Sequence, residues 1–597
     1  MAAVGRASCL DRWVGSASLD RPRAVAYDSP TMILADADLR SIQEARDLVR
    51  RSRKAWEVYK RFDQAQVDRI CEAMARAGSE ASEKLARLAV EESGFGSVAG
   101  KYQKNKFCTD LLWESLKDLQ TTGVVLRDDA RRYYQVAEPY GVVIGIVPIT
   151  NPTSTAMFKI LIALKSRNSI VISPHPRGVR CIGESARILA EAARGAGAPE
   201  DLVMCLTNPT LEGTHEAMKA RETALILATG GPDLVRAAYS MGKPAYGVGP
   251  GNAPAFIERT ADVQHAVRAI VGSQMFDNST ICASEQSVVI DTAIEAEVRA
   301  EFTRNRAHWC TPDEREKLAR IVVRGRRVNA DIVGLLPCQI AKMAGFEVPP
   351  ETTVLLTEET GVGWDHPLSV EKLSPILSVY FEDGWEAGCE RCIQILNFGG
   401  RGHTLVIHSR DENVIWTFVM EKPTHRILIN APAAQGAVGY GTGLVPSMTL
   451  GCGAFGGNIT SDNISAHNLV LTKHVGYCYD GFVESFPDFS KGPPTELRFA
   501  AMPVSPAPSV ASGAGSGAVG TGSPVRQPRA PAPAAAPALA MAGAPLAHAG
   551  NPTHPASPYY KPAAEPAAVA ARPAATGSEP PWKGGPIPTP KPVKYRT

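Results

Sequence analysis

The residues of this sequence with the clearest capacity for covalent chemistry are its 12 cysteines, because a thiolate is a strong nucleophile. They are scattered along 597 residues rather than grouped as a disulfide framework, which predicts reduced thiols in a cytoplasmic protein. The C-x-x-C pair of Cys389 and Cys392 has no second pair and lies in a helix-like stretch, so structural coincidence is favoured over a metal or redox site. A single cysteine such as Cys282, taken by itself, is more often a buried small hydrophobe than a catalytic group.

Four turns rich in glycine, proline and small polar residues could hold a ligand. They are 148–152 (PITNP), 173–176 (SPHP), 228–232 (ATGGP) and 247–252 (GVGPGN), and each follows a short apolar segment. None matches G-x-G-x-x-G, so the common dinucleotide fingerprint is absent. Taken alone, these glycines fit tight turns as well as they fit ligand binding.

The segments around these turns alternate between apolar strands and helices. Helical spacing of apolar residues predicts a helix over 41–60 and a helical stretch over 67–90. Strands are expected at 142–147, 169–172, 202–206, 224–228 and 254–257, with helices at 155–165 and 182–194 between them. This alternation predicts an α/β fold with a parallel sheet covered by helices on both faces, whose ligands bind at the carboxyl ends of the strands.

Three segments that follow one another along the chain carry a family resemblance. They are 151–154 (NPTS), 276–286 (FDNSTICASEQ) and 371–375 (EKLSP). With them, the sequence from about 41 to about 476 resembles the CoA-acylating aldehyde dehydrogenases. That group includes acetaldehyde and propionaldehyde enzymes and the aldehyde-oxidising half of bifunctional aldehyde-alcohol dehydrogenases. The resemblance implies an α/β, aldehyde dehydrogenase-like fold with two parallel-sheet domains and a small bridging hairpin that forms oligomers.

The resemblance also implies a role for each candidate catalytic residue. Cys282 would attack the aldehyde and carry the acyl group as a thioester, which splits a hard oxidation into two easier steps. The Asn151 side chain and the Cys282 backbone N–H would stabilise the oxyanion. His403 would poise the thiolate or take the proton from coenzyme A, and Glu371 would approach the nicotinamide ribose. The hydride acceptor would be NAD, with NADP as the alternative, and coenzyme A the acyl acceptor.

One departure from hydrolytic aldehyde dehydrogenases favours the acylating reaction. Those enzymes place a glutamate that activates water ahead of a Gly-Gly-Lys-Ser-Pro-like turn. Aligning that turn on 250–254 puts Val248 at the glutamate position, and a valine cannot accept a proton, so the thioester can wait for a thiol. The alternative, a shifted alignment in which another carboxylate serves, stays open.

Cofactor binding is assigned by the resemblance to the glycine-rich turns. The short side chains of 229–231 would let backbone amides approach the pyrophosphate at a helix start. The expected cofactor-binding residues are Thr150, Ser173, His175, Thr229, Gly230, Gly231, Gly249, Gly251 and Glu371. Ser173 falls where hydrolytic relatives often carry a ribose-binding lysine, which leaves the choice between NAD and NADP open. The loop 451–458 (GCGAFGGN) resembles one that closes over the substrate in this group, and no metal ligand is expected.

Composition divides the chain into a body and a tail. Residues 503–597 are dominated by Ala, Pro, Gly and Ser and contain eight basic and two acidic residues, a net charge of +6 that leaves −4 for the rest. The expected divisions are an N-terminal extension (1–35), an NAD(P)-binding domain (36–257, with bridging strands near 127–140), a catalytic thiol domain (258–445), a return to the cofactor and oligomerisation region (446–500), a Pro/Ala-rich linker (501–580) and a basic-aromatic end (581–597). The tail is interpreted as a disordered linker ending in a docking peptide for microcompartment proteins, with an inert solubilising extension as the alternative.

Charge and hydropathy exclude other partners. A net charge of +2 gives no reason to expect nucleic acid, and no apolar run reaches the ~18 residues of a membrane span. The expected function is oxidation of a small aldehyde, such as propionaldehyde or acetaldehyde, to acyl-CoA by a dimer or tetramer in the cytoplasm or inside a bacterial microcompartment. The alternatives are sulfoacetaldehyde or another substituted aldehyde as substrate, a hydrolytic aldehyde dehydrogenase, and a catalytically silent scaffold homologue.

Overall fold

The computed structural model describes residues 36–486 and residue 490, and these residues form two parallel sheets, a small antiparallel sheet and a short hairpin. The expected N-terminal extension (1–35), Pro/Ala-rich linker (501–580) and basic-aromatic end (581–597) lie outside the described residues.

Helices form the start of the described chain. They are α1 (Ala37–Tyr59), α2 (Gln64–Glu80), α3 (Ser82–Ser93), α4 (Val98–Lys106) and α5 (Leu112–Leu116). Asp36 caps α1 by accepting from the backbone N–H of Asp38 and Leu39, and Asp63 forms a capping box with Gln66 at α2. A π-helical turn, Phe107–Leu111, joins α4 to α5. These caps satisfy backbone donors that the start of a helix otherwise leaves unpaired.

The first large sheet has five parallel strands in the order β5-β4-β3-β6-β7. They are β3 (Val142–Val147), β4 (Ser169–Pro174), β5 (Val203–Cys205), β6 (Thr223–Thr229) and β7 (Ala245–Val248), joined by α6 (Pro152–Lys165), α7 (Val179–Gly195), α8 (Leu211–Lys219) and α9 (Pro232–Tyr239). The chain starts at the central β3, builds one side with β4 and β5, and returns to the other side with β6 and β7. The carboxyl ends of β3 and β6 therefore form a topological switch point, where open α/β sheets bind their ligands.

The second large sheet has seven parallel strands in the order β10-β13-β14-β9-β8-β15-β16. They are β8 (Ala253–Ile257), β9 (Glu285–Asp291), β10 (His308–Trp309), β13 (Leu355–Glu358), β14 (Ile376–Glu382), β15 (Leu405–His408) and β16 (Ile427–Ile429). The helices of this part are α10 (Val263–Met275), α11 (Glu295–Arg304), α12 (Pro312–Val322), α13 (Pro337–Ala344), α14 (Gly384–Phe398), α15 (Glu412–Glu421) and α16 (Ala433–Ala437). A hairpin of β11 (Val323–Arg324) and β12 (Arg327–Val328) follows α12.

A three-stranded antiparallel sheet joins segments that are far apart in the sequence. It consists of β1 (Val124–Asp128), β2 (Tyr133–Pro139) and β17 (Val470–Gly476), with β2 in the middle. These are the segments in which bridging strands were expected, near 127–140 and after residue 464. Their outer positions are largely exposed, in contrast to the fully buried β3 and β4.

The fold confirms the predicted α/β class, and it corrects two details. The helical stretch predicted over 67–90 is two helices that meet at Ala81, where the Ser82 hydroxyl donates back to the Gly78 carbonyl and the helix bends. The strand predicted at 254–257 pairs with β9 and β15 in the second sheet, so the chain changes sheets between Val248 and Ala253. That change lies a few residues before the expected boundary at 257, because strand pairing is a long-range property that an apolar run does not encode.

Candidate active site

The loop that carries Cys282 has an unusual backbone. It runs from a 3-10 turn, Phe276–Ser279, to the start of β9, and Asp277, Asn278 and Ser279 have φ values of 52°, 51° and 63°. Three successive non-glycine residues in the left-handed region cost of order 1–3 kcal/mol each, so the surroundings must hold them. Such strain is typical of loops that aim a reactive side chain.

Two buried lysines of α4 hold this loop through Asp277. Lys101 Nζ donates to Asp277 Oδ2 at 2.7 Å and to the Thr150 carbonyl at 2.6 Å, and Lys104 Nζ donates to the same Oδ2 at 2.5 Å. Both lysines are 1% exposed and Asp277 is also buried. Burial alone would raise the pKa of Asp277, but the two ammonium groups outweigh it and lower that pKa below its ordinary value. The carboxylate therefore ties α4 to the Cys282 loop as an ion.

Asn151 ends the turn after β3 and precedes the first residue of α6. Its Oδ1 accepts from Lys104 Nζ at 2.6 Å, and its Nδ2 donates to the Thr280 carbonyl at 3.3 Å and to Thr150 Oγ1 at 3.3 Å. The amide nitrogen therefore lies against the loop that leads to Cys282.

Gly251 is the point at which three predicted residues meet. Its backbone N–H donates to Glu371 Oε1 at 2.9 Å. A Cβ at this position would lie 2.2 Å from the Cys282 carbonyl oxygen, closer than real Cβ atoms essentially ever come to another atom, and 3.1 Å from the His403 ring, which is tighter than most real contacts. Glycine is therefore required for the chain from β7 to β8 to pass between the cysteine loop and the histidine.

The ionisable groups here are held largely neutral by burial. Burial, followed by the negative charge of Glu371, raises the pKa of the Cys282 thiol to about 12. Burial raises the pKa of Glu371 to about 8, although the Gly251 amide opposes it. Burial, followed by the charge of Arg426, lowers the pKa of His403 to about 3. At neutral pH the site thus contains a thiol, an uncharged imidazole and a carboxyl group that is mostly protonated.

The imidazole of His403 has one free nitrogen. Its Nδ1 lies 2.9 Å from Thr404 Oγ1, whereas its buried Nε2 has no hydrogen-bond partner. Arg426 donates to the His403 carbonyl at 2.8 Å and so fixes the backbone of this residue. An orphaned buried nitrogen beside a cysteine loop is a group that a substrate or a transferred proton could engage.

The glycine-rich loop 451–458 packs directly on the residue before His403. A Cβ on Gly402 would lie 1.9 Å from the Cys452 carbonyl oxygen, and the Cys452 N–H donates to Asn458 Oδ1 at 2.9 Å. Cys452 is buried, and its charge is among those that raise the pKa of Cys282. This loop therefore packs beside His403, and it brings a second cysteine that the sequence did not single out.

Val248 is the last residue of β7 and is buried, so the position aligned with the hydrolytic glutamate carries an apolar side chain inside the sheet. Gly249 and Gly251 follow in the crossing to the second sheet. The carboxylate whose charge acts on Cys282 is Glu371, which comes from the turn before β14.

The turn after β6 has the features of a phosphate site. Thr229 ends β6, Gly230 follows, and Gly231 is the N-cap of α9, which has Pro232 in its first turn. The Thr229 hydroxyl is buried without a hydrogen-bond partner, and a Cβ on Gly231 would meet nothing within 4 Å. An orphaned hydroxyl and an open helix start at the switch point fit the pyrophosphate of a dinucleotide.

Two other predicted cofactor residues are engaged elsewhere. The Ser173 hydroxyl is 2.8 Å from Thr214 Oγ1 and its side chain is buried, so it offers no free polar group. His175 Nδ1 accepts from the Arg177 N–H at 3.1 Å and caps a short turn, and burial, followed by Arg177, lowers the pKa of His175 to about 4. In this ligand-free structure the side chains of these two residues are therefore already engaged by neighbouring residues.

Sequence reasoning missed Lys101, Lys104 and Cys452. The two lysines stand three residues apart on α4, so they share one helix face. Nothing in that polar helix indicates that they are buried. The signal that could have indicated it is Asp277, an acidic residue in the motif 276–286 that needs cations beside it when it is buried.

Other reactive clusters in the described part have local structural explanations. Cys389 and Cys392 are buried on α14, where Lys422 Nζ contacts Cys389 Sγ. His308, Cys310 and Glu314 bring three potential metal ligands within 4.8 Å of one another. Glu314, however, completes the capping box of α12 and lies 3.1 Å from His308 Nε2. Both clusters thus have partners within the protein.

The class of protein is defined by its two parallel sheets. The first has a switch point of the kind that binds dinucleotides, and the second has Cys282 in the loop before its inner strand β9. The chain matches the model of the aldehyde dehydrogenase family over residues 13–319. It is 42% identical over 440 residues to the bifunctional aldehyde-alcohol dehydrogenase AdhE of Escherichia coli K12, an alignment covering 73% of this chain and 49% of that protein. The chain spans about half the length of the bifunctional relatives it matches.

Solved structures extend the comparison. An acetylating aldehyde dehydrogenase from Geobacillus thermoglucosidasius is similar with a TM-score of 0.74 and 47% identity, covering 75% of this chain and 99% of that one. A propionaldehyde dehydrogenase from Rhodopseudomonas palustris, solved with bound CoA and an acylated cysteine, is similar with a TM-score of 0.66 and 25% identity, covering 72% and 97%. The chain belongs to the aldehyde dehydrogenase family. None of its described helices has both the length and the apolar composition needed to cross a membrane.

Proposed function

We propose that this protein is a CoA-acylating aldehyde dehydrogenase that converts a small aldehyde, a nicotinamide dinucleotide and coenzyme A into an acyl-CoA. The observation that carries the proposal is the junction at Gly251, where Glu371, His403 and the Cys282 loop meet although more than a hundred residues separate Gly251 from the first two. The acetylating enzyme and the CoA-bound, acylated propionaldehyde enzyme among the similar structures support the same chemistry.

The first half of the proposed reaction joins the thiol to the aldehyde. Cys282 Sγ forms a bond to the carbonyl carbon, and the thiol proton moves to His403 Nε2, which is the free acceptor when Nδ1–H donates to Thr404 Oγ1. Because burial disfavours both the thiolate and the imidazolium, the proton moves together with formation of the C–S bond, and the new oxyanion offsets the charge of the imidazolium. The carbonyl oxygen becomes an oxyanion that accepts from the Cys282 backbone N–H and from Asn151 Nδ2, which exchanges its long 3.3 Å bond to Thr150 Oγ1 for the stronger bond to a charged acceptor. Removing one such donor typically costs ~2.7–4 kcal/mol of barrier.

The second half releases the acyl group. A nicotinamide dinucleotide, when bound, would accept the hydride. The carbonyl is then regenerated as a thioester on Cys282, and His403 releases its proton to solvent, which accounts for the proton that the overall oxidation produces. The coenzyme A thiol then attacks that thioester, its own proton passes to the imidazole, and Cys282 leaves as a thiol carrying that proton. Every proton is thus handled by one histidine, which returns to its starting state.

The same geometry disfavours hydrolysis. Val248 cannot activate water, and Glu371 retains its proton near neutral pH because its pKa is about 8. A thioester in these surroundings has no strong base with which to generate hydroxide, so it survives until a thiol arrives.

The dinucleotide is proposed to bind at the switch point of the first sheet. The free hydroxyl of Thr229 and the open start of α9 at Gly231 fit its pyrophosphate. Because Ser173 is buried and carries no charge that would favour a ribose phosphate, we propose NAD as the cofactor with NADP as the alternative.

We also infer that the protein is a dimer or a dimer of dimers. The three-stranded sheet exposes Val124 and Leu126 on β1 and Leu471 and Val475 on β17. Exposed apolar side chains along sheet edges favour pairing with a second copy. A cytoplasmic or microcompartment location, with docking through residues 503–597, remains a separate proposal that rests on the composition of that segment.

The test is the identity of the product. The purified full chain is incubated with acetaldehyde, propionaldehyde or sulfoacetaldehyde, with NAD or NADP, and with or without coenzyme A, while reduced cofactor and products are followed. We expect CoA-dependent reduction of the cofactor and formation of acyl-CoA, both lost in Cys282→Ala. Free acid formed without coenzyme A would mean a hydrolytic enzyme, and no turnover of any aldehyde would favour a scaffold.

A further inference from the structure

Lys104 has three acceptors from three parts of the chain. Its Nζ donates to Asp277 Oδ2 at 2.5 Å, Asn151 Oδ1 at 2.6 Å and Thr280 Oγ1 at 2.9 Å. These acceptors use all three of its protons, and the side chain is 1% exposed. Burial lowers the pKa of Lys104 to about 7, and the Asp277 carboxylate opposes that shift by favouring the ammonium form. This one amine on α4 therefore connects Asn151, the N-cap of α6, with the loop that carries Cys282.

The contact with Asn151 decides which way that amide points. An amide has an acceptor oxygen on one side and a donor nitrogen on the other, and its two orientations are nearly identical in shape. The Lys104 amine can only donate when it is protonated, so the amide must turn its acceptor Oδ1 towards it. In the other orientation, the N–H groups of Asn151 would face the N–H groups of Lys104. With Oδ1 towards Lys104, Nδ2 must face the Thr280 carbonyl and the loop leading to Cys282, as the structure has it.

The positive charge of Lys104 also changes the donor strength of the Asn151 amide, in addition to fixing its orientation. A cation bound at Oδ1 polarises the amide and makes its N–H protons better donors, because hydrogen bonds in a chain strengthen one another at low dielectric. Lys101 does not share this role, since its Nζ contacts Asp277 and the Thr150 carbonyl but not Asn151.

We propose that Lys104 is a positioning residue that orients and polarises the Asn151 amide as the oxyanion donor. The inference rests on the proposed acyl-transfer function, in which Asn151 contacts the reacting oxygen. Lys104 acts on the reacting oxygen through Asn151, while its bonds to Asp277 and Thr280 help to hold the Cys282 loop.

The experiment is a double-mutant cycle on turnover. Lys104→Met, which keeps the length of the side chain and removes its charge, and Asn151→Ala are made singly and together in the full chain. We expect each single change to lower kcat by ~10²–10³-fold, as loss of an oxyanion donor does, while the KM for coenzyme A stays within about 3-fold. In the double variant, Lys104→Met should add less than about 3-fold to the loss from Asn151→Ala, because its route through Asn151 is gone and only its share in holding the loop remains.

The matched control is Lys101→Met. It removes the same charge from the same helix and the same Asp277 carboxylate but leaves the Asn151 contact intact. Lys101→Met should lower kcat by the same factor whether residue 151 is asparagine or alanine. The fold-losses in kcat from Lys101→Met and Asn151→Ala should therefore multiply in the double variant. A multiplicative effect of Lys104→Met would overturn the inference, because it would mean that the lysine acts by holding the loop.

Two further measurements distinguish a folding defect of the variants, and a failure of the proposed function, from a failure of this inference. If Lys104→Met does not fold, Lys104→Gln, which retains a neutral donor, replaces it in the cycle, and failure of both variants to fold would reject the positioning role in favour of a structural one. If the unaltered chain makes no acyl-CoA, the proposed function fails and the inference falls with it. If the unaltered chain makes acyl-CoA while the cycle is multiplicative, only the inference fails.

Discussion

Replacing Gly251 by alanine should disable the site through one methyl group. The new Cβ would lie 2.2 Å from the Cys282 carbonyl oxygen, although Cβ atoms essentially never approach another atom closer than 3.0 Å. Reaching an ordinary contact requires a movement of about 1 Å in the cysteine loop, in the 251 backbone, or in both. Backbone is on each side of this contact, so no flexible side-chain end can yield.

The size of the effect follows from that displacement. A 1 Å misplacement of reacting groups costs on the order of 10²-fold in rate, and overpacking of a tight site costs typically ~1–3 kcal/mol of stability. The change also disturbs the N–H that donates to Glu371. We therefore expect a large loss of kcat together with a modest fall in Tm.

The assay is CoA-dependent cofactor reduction with the best aldehyde, combined with thermal unfolding. Gly272→Ala is the matched control, because Gly272 is an exposed residue of α10 with nothing within 4 Å of the added Cβ. That variant should keep its activity and unfold at the same or a slightly higher temperature, since alanine favours a helix over glycine. Unchanged kcat and Tm in Gly251→Ala would refute the close approach of the two loops.

Three further predictions concern neighbouring groups. Asn151→Ala should lower kcat by ~10²–10³-fold in steady-state assays at saturating coenzyme A, and a loss confined to KM would contradict an oxyanion role. Glu371 has a folded pKa of about 8 against an ordinary 4.5, so the unfolded chain releases this proton first and its contribution to stability is lost as pH rises between those values. Urea unfolding should therefore show Glu371→Gln gaining stability over the unaltered chain from pH 5 to pH 8, and a difference independent of pH would contradict the assignment. Thr229→Val should weaken NAD binding, measured by calorimetry, several-fold with little change in Tm, because the hydroxyl has no partner within the protein to lose.

Much of the fold was predictable because its strands are short, apolar and fully buried. The segment 142–147 reads as a strand from composition alone, and it is the central strand of the first sheet. The helix predicted at 41–60 is confirmed as α1 because its apolar spacing matches one buried face. The sheet to which 253–257 belongs was not predictable, because that choice depends on partners at 285–290 and 406–408.

The site also contains residues that could be predicted from the sequence and residues that could not. Cys282, Glu371 and His403 were found through motifs, and the structure brings them together around Gly251. The role of Lys104 was not readable from the sequence. A lysine in a polar helix is normally a surface residue, and its burial follows from an acid 173 positions further along the chain. Ser173 stays a prediction of the resemblance, and the sequence did not reveal that its hydroxyl lies 2.8 Å from Thr214 Oγ1.

The central claim, that Cys282 carries the acyl group between aldehyde and coenzyme A, is tested most directly by trapping the thioester. The full chain is incubated with acetyl-CoA in the absence of reduced cofactor, and the protein is then analysed by intact mass and peptide mapping. We expect one acetyl group on Cys282, none in Cys282→Ala, and removal of the adduct when free coenzyme A is added. An adduct on Cys452 or another cysteine in place of Cys282, or no adduct on a chain that still makes acyl-CoA, would contradict the account.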